Sequence, residues 1–284
     1  MKKIKPIDFN ALHYTGIFLL FGLLFVQCQP EREVVTTVIY PEFVDFFKEC
    51  NVTGSIAIYD MDKEEWMVSD TIGIYEATLP ASTFKILNLL IALETGVIDD
   101  EEEVIHFKDK ADTLRYGYRP GTYRNMTVSE AFEASAVWVF LDLAERIGKD
   151  NYRQYLQRIN YGNQYVDEEN LDFWNFGELR ISPVDQVNFL IDLYEERLPF
   201  SKKNIDIVKA VMLSEIGPNY TVHGKTGWTS EAGVNIGWWV GYVEKDDNVY
   251  VFATRLLQDQ EQRTADFGIC RKRITEQVFE RFIY

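Results

Sequence analysis

Residues 80–98 read PASTFKILNLLIALETGVI. A helix is expected to begin near Ser82, and Lys85 then stands in its first turn. That end of a helix carries the positive pole of the macrodipole, where acids are favoured and a charged lysine is not. The apolar set Ile86, Leu87, Leu89, Leu90, Ile91 and Leu93 follows, so the lysine is read as buried. Ser82 and Lys85 are three positions apart and share a helix face. A serine hydroxyl is a weak nucleophile until a base takes its proton. Lysine is such a base only when neutral, and both burial and the helix terminus lower its pKa. Ser82 then reads as a nucleophile with Lys85 as its base, and the Ser82 amide as an oxyanion donor. A plainer reading has Ser82 or Thr83 as an N-cap and Lys85 snorkelling to water.

Working outward, 41–50 reads as a short helix with Phe43, Phe46 and Phe47 on one face. Residues 54–59 and 65–68 read as a hairpin. Helical patterns dominate about 99–199, at 128–147, 151–159 and 183–194, separated by turn-rich pieces such as YRPGTYRN. Strand patterns return at 223–228, 235–243 and 249–256, and a helix over 269–282 closes the chain. The expected fold is α/β of the α+β kind. An antiparallel sheet is built from the N- and C-terminal segments and flanked by helices. A mostly helical lobe is inserted, and the site lies in the cleft between the two.

Composition limits the partners. The 284 residues are 46% hydrophobic, enough for a substantial core. Lysine and arginine number 29 against 45 acidic residues, a net charge of -16. Such a chain repels nucleic acid and an anionic membrane surface. Lys2, Lys3 and Lys5 precede an apolar run over 17–26, too short to span a bilayer but suited to a secretory signal. Residues 1–28 are therefore read as a signal, 29–40 as a tether and 41–284 as the folded domain. Cys28 resembles the lipid-bearing cysteine of a bacterial lipoprotein, with Gln27 where a small residue is usual. A lipid there would be the only membrane attachment. Cys50 and Cys270 remain, as a disulfide or as two thiols. His13, His106 and His223 show no metal-ligand spacing, and no metal is expected.

Two further motifs follow the first. Ser135-Ala136-Val137 lies in a helical pattern, and Lys225-Thr226-Gly227 on an apparent strand, where Lys and Thr can bind an anion and Gly lets a ligand approach the backbone. The order S-x-x-K, S-x-V, K-T-G resembles that of the penicillin-recognising serine acyltransferases. PASTFKI, SAVWVF, YGN at Tyr161, FW at Phe173 with LRISPVDQV, HGKTGW and GWWVGYVE together resemble the class D, oxacillinase-type serine β-lactamases. The likeness runs from about Phe46 to the C-terminus.

The resemblance implies an exported hydrolase of β-lactam antibiotics that works through a Ser82 acyl-enzyme. Lys85, carboxylated by carbon dioxide, would be the general base for acylation and deacylation, and no other cofactor is implied. Ser135 would relay a proton to the lactam nitrogen. Phe84, Val137 and Trp174 would surround the carbamate, with the Trp174 indole N–H donating to it. Lys225, Thr226, Gly227 and Arg271 would hold the substrate carboxylate, with Arg273 an alternative to Arg271. Tyr161 would line the cleft, and the Ser82 and Trp228 amides would form the oxyanion hole. Asn175 departs from the family, which usually places an apolar residue after F-W; its amide either admits water near Lys85 or points away. The segment between Phe107 and Ala131 also departs, with YGYRPGTYRNM where a tryptophan-containing pattern is often found. A non-hydrolysing sensor-like β-lactam binder and a penicillin-binding peptidase remain the alternatives.

Overall fold

The computed structural model describes residues 36–108 and 112–284. The signal over 1–28, the lipid site at Cys28 and the first part of the tether lie outside them. Among the described residues the strands are β1 (Thr36–Ile39), β2 (Thr53–Asp60), β3 (Glu65–Val68), β4 (Val104–Ile105), β5 (Met126–Thr127), β6 (Leu213–Ile216), β7 (Tyr220–Glu231), β8 (Val234–Lys245) and β9 (Asn248–Asp259). Seven of them form one sheet in the order β1-β3-β2-β9-β8-β7-β6, while β4 and β5 pair separately. The N-terminal β2–β3 hairpin is joined to the C-terminal meander β7–β8–β9 through the β2–β9 pair. The sheet is therefore built from both ends of the chain, as expected. Two details are corrected. The tether ends early, because the β-branched run Thr36–Ile39 pairs as an edge strand. That pairing, β1 with β3, is parallel.

The helices are α1 (Phe43–Glu49), α2 (Lys85–Glu94), α3 (Thr113–Tyr116), α4 (Val128–Glu133), α5 (Val137–Ile147), α6 (Lys149–Arg158), α7 (Phe173–Phe176), α8 (Pro183–Tyr194), α9 (Lys202–Val211) and α10 (Phe267–Phe282). Side chains alternate across the sheet, which divides the core in two. Ile56, Ile58, Phe252 and Leu256 pack with Phe43 and Phe47 of α1 and Ile274 and Val278 of α10. Ala57, Val251, Ala253, Trp238 and Val240 pack on the other face, in one core with α2, α5 and α8. Cys50 and Cys270 form a disulfide in the first of these cores, which resolves the choice the sequence left open. No helix among the described residues is long and apolar enough to cross a membrane.

Three expectations about the helices are corrected. The helix expected over 128–147 is broken. α4 ends at Glu133 and α5 begins at Val137, with Ser135 between them at a φ of 54°. The apolar period continues across the break, so the pattern alone does not reveal it. α8 packs against β2, β8 and β9 and so belongs to the sheet layer, which shortens the helical lobe at its C-terminal end. α9 was not expected; its signs were the Ser201 N-cap and the buried pair Ile205 and Val208.

Candidate active site

α2 starts one turn later than its sequence suggests. Ala81–Phe84 form a 3₁₀ turn, entered through Ala81 at a φ of 51°, and Lys85 is the first α-helical residue. A left-handed alanine costs about 1–2 kcal/mol, so packing on both sides must hold the turn in place. β7 supplies one side. A Cβ on Gly227 would meet the Pro80 carbonyl at 3.0 Å and the Thr83 methyl at 3.2 Å. The glycine expected to admit a ligand instead admits the turn that carries Ser82.

That turn sets Lys85 Nζ 2.8 Å from Ser82 Oγ. Ser82 is 7% exposed and borders a cleft of about 590 Å³, while Lys85 is 0% exposed. Its ammonium would sit 5.1 Å from the Phe140 ring centroid, in apolar surroundings. Burial lowers the Lys85 pKa to about 7; the Asp172 carboxylate opposes that shift and Arg119 reinforces it. The Ser82 hydroxyl and the Lys85 amine are thus in contact, and the amine is poised near neutrality.

The break before α5 places Ser135 across the cleft. Lys225 Nζ donates to Ser135 Oγ at 3.1 Å and to the Thr226 carbonyl at 3.2 Å. Burial, with Lys85 and Arg271 nearby, pushes the Lys225 pKa well down. Ser82, Ser135, Val137, Thr226, Trp228 and Arg271 all line the same cleft. Phe84 is buried beneath Ser82, stacked on the Trp174 ring at 5.3 Å. The Trp174 indole N–H is buried and, among the described residues, has no hydrogen-bond partner. A buried donor without a partner is costly, so this one marks a place for an acceptor.

Of Arg271 and Arg273, it is Arg271 that lies at the cleft. Arg271 reaches the cleft and donates from Nη1 to the Gly227 carbonyl at 3.0 Å. Arg273 turns to the sulfurs of Cys50 and Cys270. Tyr161 is corrected. It is 2% exposed and packs edge-on to Phe84 and Phe189, so it supports the serine turn from behind and does not line the cleft. Asn175 does border the cleft, but its amide donates to Asp172 Oδ1 at 2.7 Å, and its carbonyl accepts from Thr229.

Sequence reasoning missed most of the charge in the cleft. Arg115, Arg119, Arg263 and Arg271 line it, and among the described residues no carboxylate does. Arg263 and Arg271 lie over the Trp228 ring at 4.7 and 5.5 Å. Arg119 donates to the Ala134 and Ser135 carbonyls and so braces the break. A cationic cleft in a chain of net charge -16 concentrates small anions at that one place. The segment after Phe107 was read as a departure from the family pattern, and nothing in it singled out Arg115 or Arg119. Asp172 was also passed over. It sits beside the F-W pair, is 2% exposed and receives hydrogen bonds from the Tyr116 hydroxyl and the Asn175 amide.

The model of the penicillin-binding protein transpeptidase domain matches residues 53–280. β-Lactamase OXA-10 of Pseudomonas aeruginosa is 37% identical over 232 residues, covering 81% of this chain and 84% of that protein. β-Lactamase OXA-48 of Klebsiella pneumoniae is 34% identical over 236 residues, 83% of this chain and 85% of that one. Among solved structures, a class D β-lactamase from Sebaldella termitidis ATCC 33386 superposes with a TM-score of 0.81 at 39% identity. It covers 87% of this chain and 97% of its own.

Proposed function

The chain belongs to the class D β-lactamases and hydrolyses β-lactams, and from that premise we propose how its residues divide the work. Ser82 Oγ attacks the lactam carbonyl as the Lys85 side chain takes its proton. The amides of Ser82 and Trp228 receive the developing oxyanion. Ser135, held by Lys225, passes a proton to the departing nitrogen. Lys225, Thr226 and Arg271 hold the substrate carboxylate, and the cationic cleft draws it in. The contact between Ser82 and the buried Lys85 carries this reading.

The site also suits carboxylation of Lys85. The amine is buried, its lowered pKa keeps much of it neutral, and only a neutral amine adds carbon dioxide. The Trp174 N–H, unpartnered among the described residues, suits a buried anion at its tip, and the apolar walls of Phe84, Phe140 and Val137 keep the amine uncharged and water out. Such a carbamate supplies an oxygen base able to activate the deacylating water. The N-terminal lysines and the run over 17–26 support export, with Cys28 as the lipid site; a Cys28→Ala chain that still took up lipid label would contradict the latter. The acylation reading is tested by mass spectrometry on protein quenched within milliseconds of mixing with a penicillin. The expected adduct equals the penicillin mass on the peptide carrying Ser82, and an adduct elsewhere would overturn it.

A further inference from the structure

Asn235 and Arg263 line the same cleft as Ser82, yet the reaction described above gives neither a task. Both are arranged around the indole of Trp228. That ring packs on Phe267 at 5.0 Å, and its Nε1–H donates to Asn235 Oδ1 at 3.2 Å. An indole nitrogen can only donate, so it is the amide oxygen of Asn235 that must face it. The amide nitrogen is left over. It is buried and has no partner among the described residues, in a side chain of a residue only 4% exposed. A buried donor in that state is costly unless an acceptor joins it. Arg263 and Arg271 lie over the same indole, 4.7 and 5.5 Å from its centroid. Arg271 is committed to the Gly227 carbonyl at 3.0 Å and the Gly268 carbonyl at 2.9 Å. The Arg263 guanidinium rests on the ring and makes no hydrogen bond or ion pair among the described residues.

We propose that Asn235 and Arg263, grouped with Arg271 around Trp228, form a second anion site in the cleft. It selects β-lactams that carry an acidic substituent next to the ring carboxylate. The inference rests on the reading that Arg271 holds that carboxylate. With the ring acid at Arg271, the shared indole makes Arg263 the next cation along the same wall. In a cephalosporin, the carbon beside the one bearing the carboxylate carries the variable 3-substituent. A sulfonate or carboxylate at the end of that substituent accepts from the Arg263 guanidinium and from the Asn235 amide, and the first of these bonds is charge-assisted. The acyl side chain leaves from the opposite end of the lactam, so an acid there does not meet this wall.

The surrounding charges agree with this. Among the described residues no carboxylate lines the cleft. Asp259, close to Arg263 in sequence, turns its side chain to the Glu261 amide, and Glu231 at the end of β7 pairs with Arg180. The other cleft arginines are engaged elsewhere. Arg115 lies over the Phe176 ring at 4.4 Å, and Arg119 donates to the Ala134 and Ser135 carbonyls. The wall at Trp228 is thus the place where a guanidinium and an unpartnered buried amide occur together.

The test is the second-order rate of Ser82 acylation by two cephalosporins with the same 7-acyl group, read whether or not the acyl-enzyme then hydrolyses. Each carries a 3-tetrazolylthiomethyl group, which ends in sulfomethyl in one and in methyl in the other. The wild type should prefer the sulfonate by about tenfold, and Arg263→Gln should bring the ratio close to one. Arg115→Gln removes an equal charge from the same cleft and should keep most of the preference. A ratio near one in the wild type would overturn the proposal and leave the carboxylate reading intact. Equal losses in the two arginine variants would assign the preference to the general field of the cleft and overturn the site. Asn235→Asp keeps an oxygen facing Trp228 and puts an anion in place of the donor, so it should reverse the preference. A preference it leaves untouched would remove Asn235 from the site, and if that variant does not fold the arginine variants decide. Acylation by both compounds that Arg271→Ala leaves unaffected would overturn the carboxylate reading and the proposal with it.

Discussion

Lys85 Nζ lies 2.8 Å from Ser82 Oγ at the floor of a cleft from which Lys85 itself is excluded. The contact exists because the 3₁₀ turn over Ala81–Phe84 swings the serine toward the lysine at the start of α2. Removing the hydroxyl removes the nucleophile. Ser82→Ala should reduce kcat/KM for a penicillin by about 10³-fold or more and abolish the covalent adduct. Steady-state kinetics and mass spectrometry check both. A variant retaining a tenth of wild-type turnover would place the nucleophile elsewhere.

The activity should show an acid limb near pH 7. The usual lysine pKa of 10.5 is lowered to about 7 here, mainly by burial. Above that pH the amine is neutral and can act as a base or add carbon dioxide. Below it the neutral fraction falls about tenfold per pH unit. The rate should therefore fall as pH drops through 7, and added bicarbonate should displace the limb to lower pH. A profile flat from pH 5 to 8 would contradict the assignment of Lys85 as the titrating group.

Arg271 should act mainly on substrate binding. Its guanidinium lines the cleft beside Thr226, and a charge-assisted hydrogen bond contributes about 1.5–3 kcal/mol. Arg271→Ala should raise KM for penicillins by about 10–100-fold with a smaller change in kcat. Esterifying the substrate carboxylate should remove that difference. Equal losses on acid and ester would assign Arg271 to bracing the Gly227 carbonyl.

The Cys50–Cys270 disulfide closes a loop with a sequence separation of 220, and both residues are buried in the core behind the sheet. Such a cross-link typically stabilises by about 2–4 kcal/mol, chiefly by restricting the unfolded chain. Cys50→Ser with Cys270→Ser should lower the denaturation midpoint measurably, while Ser82 acylation at low denaturant persists. An unchanged midpoint would show that the bond contributes nothing to stability.

Trp174 holds its place by packing, but its indole N–H has no partner among the described residues. Trp174→Phe keeps an aromatic ring and removes that donor. The variant should need roughly tenfold more bicarbonate for half-maximal rate. A bicarbonate requirement identical to wild type would mean that the N–H meets nothing in the working enzyme.

Much of this was legible in the sequence because the signals were local. The alternating strands and the β2–β3 hairpin follow from side-chain period, and α8 follows from Ser182 and Pro183 at its start. Ser82, Lys85, Ser135 and Lys225 were legible as motifs. Ser135's left-handed backbone was not, because an apolar period continues smoothly from α4 to α5. Tyr161 was misplaced because the family likeness put it at the cleft wall, and only the tertiary packing shows it behind Phe84. Asp172 was hidden most completely. An acid before a short helix reads as an ordinary solvated cap, and nothing local says that Tyr116, distant in sequence, seals it in.

The most direct test of the account is steady-state turnover of a chromogenic β-lactam, with and without bicarbonate, by wild type and by Lys85→Ala. The account predicts turnover that rises with bicarbonate in wild type and vanishes in Lys85→Ala. A single stoichiometric burst on Ser82 with no steady state in either condition would contradict it, and would make the molecule a β-lactam binder that does not complete hydrolysis.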